Sequence, residues 1–132
     1  MIIGSVSENK DIEKRISITP ELVKKYIFQG FKILIEKDYG KHLGFTNDKY
    51  QKEGCEINSR DNVIEKSDII LLGVSRTSKT PTSIYLANRG LRTSNIPLIN
   101  ENSIPKLLKK NTKISCIVGL TTEPERLVDI RK

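Results

Sequence analysis

Apolar positions along this chain come in short blocks whose spacing switches between the strand and helix periods. Met1 to Val6 reads as a strand, and the polar, charged stretch Ser7 to Arg15 as the loop behind it. Thr19-Pro20-Glu21 is a helix start, with a hydroxyl cap, a proline in the first turn and an acid beside the positive end of the dipole. Leu22, Val23, Tyr26 and Ile27 share one face at helical spacing, and Gly30 ends that helix. Phe31 to Glu36 is a second strand, with Phe31, Ile33 and Ile35 alternating against Lys32 and Leu34, which completes a βαβ unit. Beyond the glycine-containing loop Tyr39 to Phe45, the pattern predicts a helix over Asn47 to Glu53 stopped by Gly54, a small strand over Cys55 to Ile57 and a short helix over Asp61 to Lys66. Asp68 to Leu72 is an apolar run with the look of a buried strand, and Pro81 opens a helix that Gly90 terminates. Asn95 to Ile99 is strand-like, with Pro97 predicting an edge position or an irregular end. Ser103 caps a helix over Ile104 to Lys110, Ile114 to Val118 is an apolar strand, and Thr122 caps a last helix over Glu123 to Arg131. Alternation of this kind predicts an α/β fold with a mainly parallel sheet and helices on its faces.

Composition narrows the picture. The chain has 132 residues, enough for one domain of ordinary size, with 36% hydrophobic and 30% charged residues. Aromatics make up 5% and Trp is absent, so the core is aliphatic. A domain this small is marginally stable alone, and a homodimer would offset that. The formal net charge is +7, but the lysines are spread out, with short pairs at Lys24–Lys25 and Lys109–Lys110, so a solvated surface fits better than a nucleic-acid face. Cys55 and Cys116 match no zinc spacing and read as buried free thiols of a reducing compartment. No metal site is expected. No apolar run reaches the length of a membrane span and the N-terminus lacks a signal-peptide layout, so a cytoplasmic location is expected.

The candidate chemistry sits in Gly73 to Thr80, a glycine-led loop between the Asp68 to Leu72 strand and the Pro81 helix. Strand, loop and helix form the context in which G-x-x-x-x-G-K-[ST] cradles phosphate, and here Ser78 stands at the second glycine. Inward amides, a helix N-terminus and a lysine are the physical ingredients of such a site. A strand-to-helix turn with solvated Arg76 and Lys79 is the plain alternative.

Two stretches resemble two different families. Residues Met1 to Ile57 look like the start of proton-translocating NAD(P) transhydrogenase alpha subunits and alanine dehydrogenases. The matching residues are E-K-R-I-S-I-T-P (Glu13 to Pro20), Q-G-F-K-I-L-I-E (Gln29 to Glu36), Gly40 with Gly44-Phe45, and Y-Q-K-E-G-C-E-I (Tyr50 to Ile57). That resemblance implies an oxidoreductase fragment that meets an NAD-binding domain, and it puts Arg15 at a position that lines the substrate cleft of alanine dehydrogenases. The family's later Rossmann glycine loop does not appear, so NAD enters only under this alternative.

Residues Ser67 to Lys132 are similar to the bifunctional regulatory proteins of pyruvate, phosphate dikinase and phosphoenolpyruvate synthase. The match runs through G-V-S-R-T-S-K-T-P-T-S-I-Y-L-A-N-R-G (Gly73 to Gly90), N-I-P-L (Asn95 to Leu98) and V-G-L-T-T-E-P-E-R-L-V-D-I-R (Val118 to Arg131). The resemblance implies a serine/threonine kinase that phosphorylates a threonine of its target enzyme with ADP, and a phosphorylase that removes the phosphate with inorganic phosphate, releasing pyrophosphate. The two likenesses meet between Asn58 and Leu72, so the chain reads as a chimera of two partial regions, 1–66 and 67–132, and an inactive hybrid is a further alternative.

Under the kinase resemblance, Gly73, Val74, Ser75, Arg76, Thr77, Ser78, Lys79 and Thr80 form the nucleotide loop. Amides of Ser75 to Thr80 would hold the β-phosphate of ADP, Lys79 would offset its charge, Thr80 would meet a Mg²⁺ ion where one is used, and Arg76 would steady the phosphoryl group. Arg76 and Lys79 are therefore the catalytic candidates. Of the other polar residues, Arg15 reads as a surface charge, His42 as an exposed loop residue, Asp68 as a strand-end residue, and Arg126 and Arg131 as solvated helix positions.

Overall fold

The computed structural model describes residues 1–110 and 116–125. Its elements are β1 (Ile2–Ser5), α1 (Pro20–Phe28), β2 (Lys32–Glu36), α2 (Asn47–Lys52), β3 (Glu56–Asn58), α3 (Arg60–Glu65), β4 (Ile69–Gly73), α4 (Lys79–Asn88), β5 (Thr93–Pro97), α5 (Lys106–Lys110) and β6 (Cys116–Leu120). Short 3₁₀ turns occupy Lys41–Leu43 and Glu101–Ser103. A helical turn begins at Pro124. Arg126, Arg131 and most of the last predicted helix lie outside the described residues, as does Ile114 of the last predicted strand.

The six strands form one sheet in the order β3-β2-β1-β5-β4-β6, and every pair is parallel. The sheet runs through both stretches of sequence, because β1 pairs β2 on one side and β5 on the other. Local chemistry explains most boundaries. Thr19 accepts a hydrogen bond from the Leu22 amide at the start of α1, and Ser59 does the same for Asn62 at the start of α3. Gly30, Gly54 and Gly90 take left-handed φ values of 86°, 89° and 84° just past α1, α2 and α4, where a side chain would be strained.

Strand residues alternate between two cores. Ile3, Ile33 and Ile35 join Val23, Phe31, Tyr50 and Ala87 under α1, α2 and α4. Leu34, Ile70 and Ile96 join Val63, Ile64 and Leu108 under α3 and α5. Leu34 was expected to alternate with the buried isoleucines; it does so in direction, but helices cover both faces, so it is fully buried too.

The structure corrects four expectations. Pro97 lies in an interior strand, as the last residue of β5, and the ladder is carried past it by the Leu98 amide donating to Gly73 O (2.9 Å). Ser103 does not cap α5. Its hydroxyl accepts from the amides of Ile99 (3.1 Å) and Asn100 (3.2 Å), and α5 begins only after Pro105. Pro81 is not the first residue of its helix, since α4 starts at Lys79. Cys116 is exposed on β6, whereas Cys55 is buried, with its thiol pushed up to about 12 by desolvation.

Strand β5 is buried along its length although it begins with three polar residues. Ser94 donates to Val63 O (3.0 Å) and meets Ser67 Oγ at 2.5 Å, Thr93 donates to Ser83 O (3.3 Å), and the Asn95 amide donates to Ser83 Oγ (3.2 Å). These bonds satisfy groups that would otherwise be costly to bury. Gly4 of β1 makes room for this seam, because a Cβ there would stand 2.2 Å from Ser94 Oγ and 2.8 Å from Val63 Cγ1. Gly4→Val should therefore cost about 1–3 kcal/mol by overpacking, read as a lowered urea midpoint with an unchanged slope.

Candidate functional site

The Gly73 to Thr80 loop leaves the carboxyl end of β4 and enters α4. Gly73 is required by close approach: a Cβ would lie 2.4 Å from Thr77 Oγ1 and 2.8 Å from Leu120 O. Arg76 and Ser78 hold left-handed φ angles of 66° and 58° without being glycine. Such conformations cost free energy and persist where the surrounding structure enforces them. Left-handed residues within a short loop turn successive amides toward one side, which makes an anion-binding concavity. No side chain caps α4, so Ser78 to Thr80 carry the amide donors that a helix start leaves without intrahelical partners.

The loop is closed from inside by one carbonyl. Val74 O accepts from Thr77 Oγ1 (2.8 Å) and from Lys79 Nζ (2.7 Å). Lys79 is 8% exposed, and desolvation lowers its pKa while the charge of Glu8 pulls it back up. An ammonium has three donors, so Lys79 has capacity beyond Val74. Arg76 stands exposed at the rim.

This loop faces a cavity of about 320 Å³ lined by Ser75, Arg76, Ser78, Lys79, Thr80 and Pro81, and on the opposite wall by Glu8, Glu13, Arg15, Ile16 and Ser17. The structure thus brings Arg76, Lys79 and Thr80 together around one space, and adds Arg15 to them. Gly73, Val74 and Thr77 support the loop from behind. The opposite wall is the β1–α1 loop. Two buried tyrosines fix its end: Tyr39 Oη accepts from the Ser17 amide (3.2 Å), and Tyr50 Oη donates to Ile18 O (2.8 Å). Its beginning is held where the Ser7 amide donates to Glu36 (2.7 Å) and Arg60 donates to Ser7 O (2.7 Å).

Sequence reasoning reached this wall only through a resemblance: Glu13 and Arg15 lie in the E-K-R-I-S-I-T-P match, which puts Arg15 at a cleft position, while Glu8 carried no motif and Arg15 by itself read as a surface charge. Arg15 is in fact half exposed, gripping Glu13 through Nε–Oε1 (2.8 Å) and Nη2–Oε2 (2.5 Å). Glu13 and Ser75 of the facing loop line the same cavity. Of the remaining candidates, His42 lies exposed with Nε2 at 2.6 Å from Lys14 O, and Asp68 is a strand-end residue bound through both oxygens to Arg92 (2.6 and 3.0 Å). Among the described residues no three metal-ligating side chains cluster, and no helix is long and apolar enough to cross a membrane.

The Arg15 hydrogen bonds, opposed by desolvation, hold the Glu13 carboxyl down to about 2. A depressed carboxyl pKa contributes stability above the ordinary value near 4.5, and that stability is lost as pH falls toward 2. An NMR titration of the Glu13 carboxyl should give a midpoint near 2, and in Arg15→Gln the midpoint should move up toward 4.5.

Comparison with known proteins places these observations. The family model described as kinase/pyrophosphorylase matches residues 58–132, which include the whole loop, α4 and the described part of the chain beyond them. A Pelagibacter ubique protein named for the regulation of pyruvate, phosphate dikinase is 78% identical over 69 residues, covering 52% of this chain and 25% of that protein. A Nitrobacter winogradskyi protein of the same name is 41% identical over 104 residues, covering 78% of this chain and 35% of that protein. The chain spans about a quarter to a third of the length of these relatives. Among solved structures, a Sinorhizobium meliloti transhydrogenase is similar with 20% identity and a TM-score of 0.47, covering 73% of this chain and 28% of that one. An L-alanine dehydrogenase is similar with 18% identity and a TM-score of 0.49, covering 74% and 32%. The match across more than half of its length makes this chain a member of the kinase/pyrophosphorylase family.

Proposed function

We propose that this chain carries the phosphate-binding part of an ADP-dependent serine/threonine kinase and phosphate-dependent phosphorylase that regulates pyruvate, phosphate dikinase. The observation that carries the reading is an uncapped helix mouth and a buried lysine facing one cavity, in the segment where the family match lies. The donor set suits a diphosphate. Amides of Ser78 to Thr80 would hold its oxygens, Lys79 would offset charge from within the loop, and Arg76 and Arg15 would approach from the rim. Mg²⁺, where used, would meet the Thr80 hydroxyl. ADP would supply the phosphoryl group in one direction, and inorganic phosphate would accept it in the other, with a threonine of the dikinase or of phosphoenolpyruvate synthase as the protein partner.

We further read residues 1–66 and 67–132 as partial regions of different ancestry; the family model matches residues 58–132, and the 104-residue match to the Nitrobacter winogradskyi protein reaches back into the first region.

Calorimetric titration with ADP tests the reading. The wild-type chain should bind, and Lys79→Ala should weaken binding by about tenfold or more, the scale of a lost charge-assisted hydrogen bond. Equal binding by the two proteins, or no binding at millimolar ADP, would remove the proposal.

A further inference from the structure

The cavity in front of the phosphate loop contains carboxylates as well as cations. Glu13 is the better defined of them. Its side chain is 14% exposed, both of its oxygens lie on Arg15, and it lines the cavity together with Ser75 of the loop. It therefore engages the guanidinium that shares the cavity with the loop. Glu8 lines the same space, and its charge acts on both Lys79 and Arg15.

We propose that Glu13 is a built-in competitor for the phosphate loop, its carboxylate holding the Arg15 guanidinium that an entering phosphate would otherwise engage. This inference rests on the phosphate-loop reading above. A carboxylate and a phosphate present similar paired oxygens to a guanidinium fork, so Arg15 can exchange one for the other. The two anions cannot share the cavity cheaply, because like charges a few ångströms apart repel strongly where water is partly excluded. Glu13 lies in a stretch without regular structure, so its withdrawal breaks no helix or strand. Affinity for phosphate is thereby set below what the loop's own donors would give, and Arg15 passes from Glu13 to the ligand when one binds.

Glu13→Gln keeps the size of the side chain but removes the charge. Titration of wild type and E13Q with inorganic pyrophosphate and with ADP, at pH 7 and low salt, should show about tenfold tighter binding of both ligands to E13Q. Glu65→Gln makes the same change in net charge on the exposed end of α3 and should leave both affinities within about twofold. Equal or weaker binding by E13Q, with wild-type binding intact, overturns the competitor role and leaves the phosphate loop standing. An equal gain in E65Q overturns it in favour of a net-charge effect. No binding by wild type or E13Q overturns the loop reading and this inference together.

Discussion

A sheet whose strands all run one way gathers the loops that follow them on one edge. That constraint builds the site described above. The β4–α4 loop and the β1–α1 loop lie far apart in sequence and on strands separated by β5, yet both leave the same edge. Their helices also cover the same face, since Val23 of α1 and Ala87 of α4 belong to one core. The two loops therefore converge over the sheet edge and enclose the cavity between them. The chain leaves β1 toward β2 and leaves β5 toward β6 in the opposite direction, so a crevice opens between these neighbouring strands. A second cavity of about 390 Å³, lined by Ser7, Arg60, Pro97, Asn100 and Ser103, occupies that crevice.

Within this frame the Gly73 to Thr80 loop is held by sterics and by a single carbonyl. Strand β6 and Thr77 leave no space for a side chain at Gly73, and Val74 O ties Thr77 and Lys79 to the loop's interior. The left-handed turns at Arg76 and Ser78 follow from making the strand-to-helix passage so short. Burial keeps the Lys79 ammonium close to the backbone amides, and this is the geometry in which a cation and a helix mouth act on one anion. The facing loop is rigid at its two ends, through Tyr39 and Tyr50 at one and Glu36 and Arg60 at the other. Its charged middle is the part free to change partners.

The boundary between the two sequence resemblances is crossed by hydrogen bonds and by both cores. Strand β1 lies between β2 and β5, and Ala87 shares a core with Ile3 and Val23, while Val6 and Leu34 share the other with Ile70 and Ile96. At the centre the contact between the two stretches is polar. Ser94 reaches Val63 of α3 across the boundary with a hydrogen bond, and Asn95 bonds Ser83 of α4 beside it within the second stretch, where aliphatic side chains would be the commoner choice. Gly4 lets Ser94 approach. The Asn95 Oδ1 atom has no hydrogen-bond partner, so the seam is not fully satisfied.

Local chemistry was legible in the sequence because local rules govern it. The Thr19 cap, the terminal glycines, the alternation in β2 and the strand-loop-helix at Gly73 to Thr80 each depend on residues within a few positions of one another. Their combined pattern was enough for a parallel α/β sheet. What the sequence hid depends on partners distant along the chain. Polar Thr93 and Ser94 fall outside the strand-like run Asn95 to Ile99 until α3 and α4 supply their hydrogen bonds, and Pro97 looks like an edge position or an irregular end until the ladder resumes at Leu98. Ser103 looks like a helix cap until Ile99 and Asn100 claim its hydroxyl. Glu13 and Arg15 look like solvated charges until the sheet folds their loop over Ser75 and Lys79. The sequence by itself determined the segment proposed to hold a phosphate, because amides and a lysine at a helix start are local. Only the tertiary structure decided which carboxylates and which guanidinium face that segment, because strand order and crossover direction choose the neighbours.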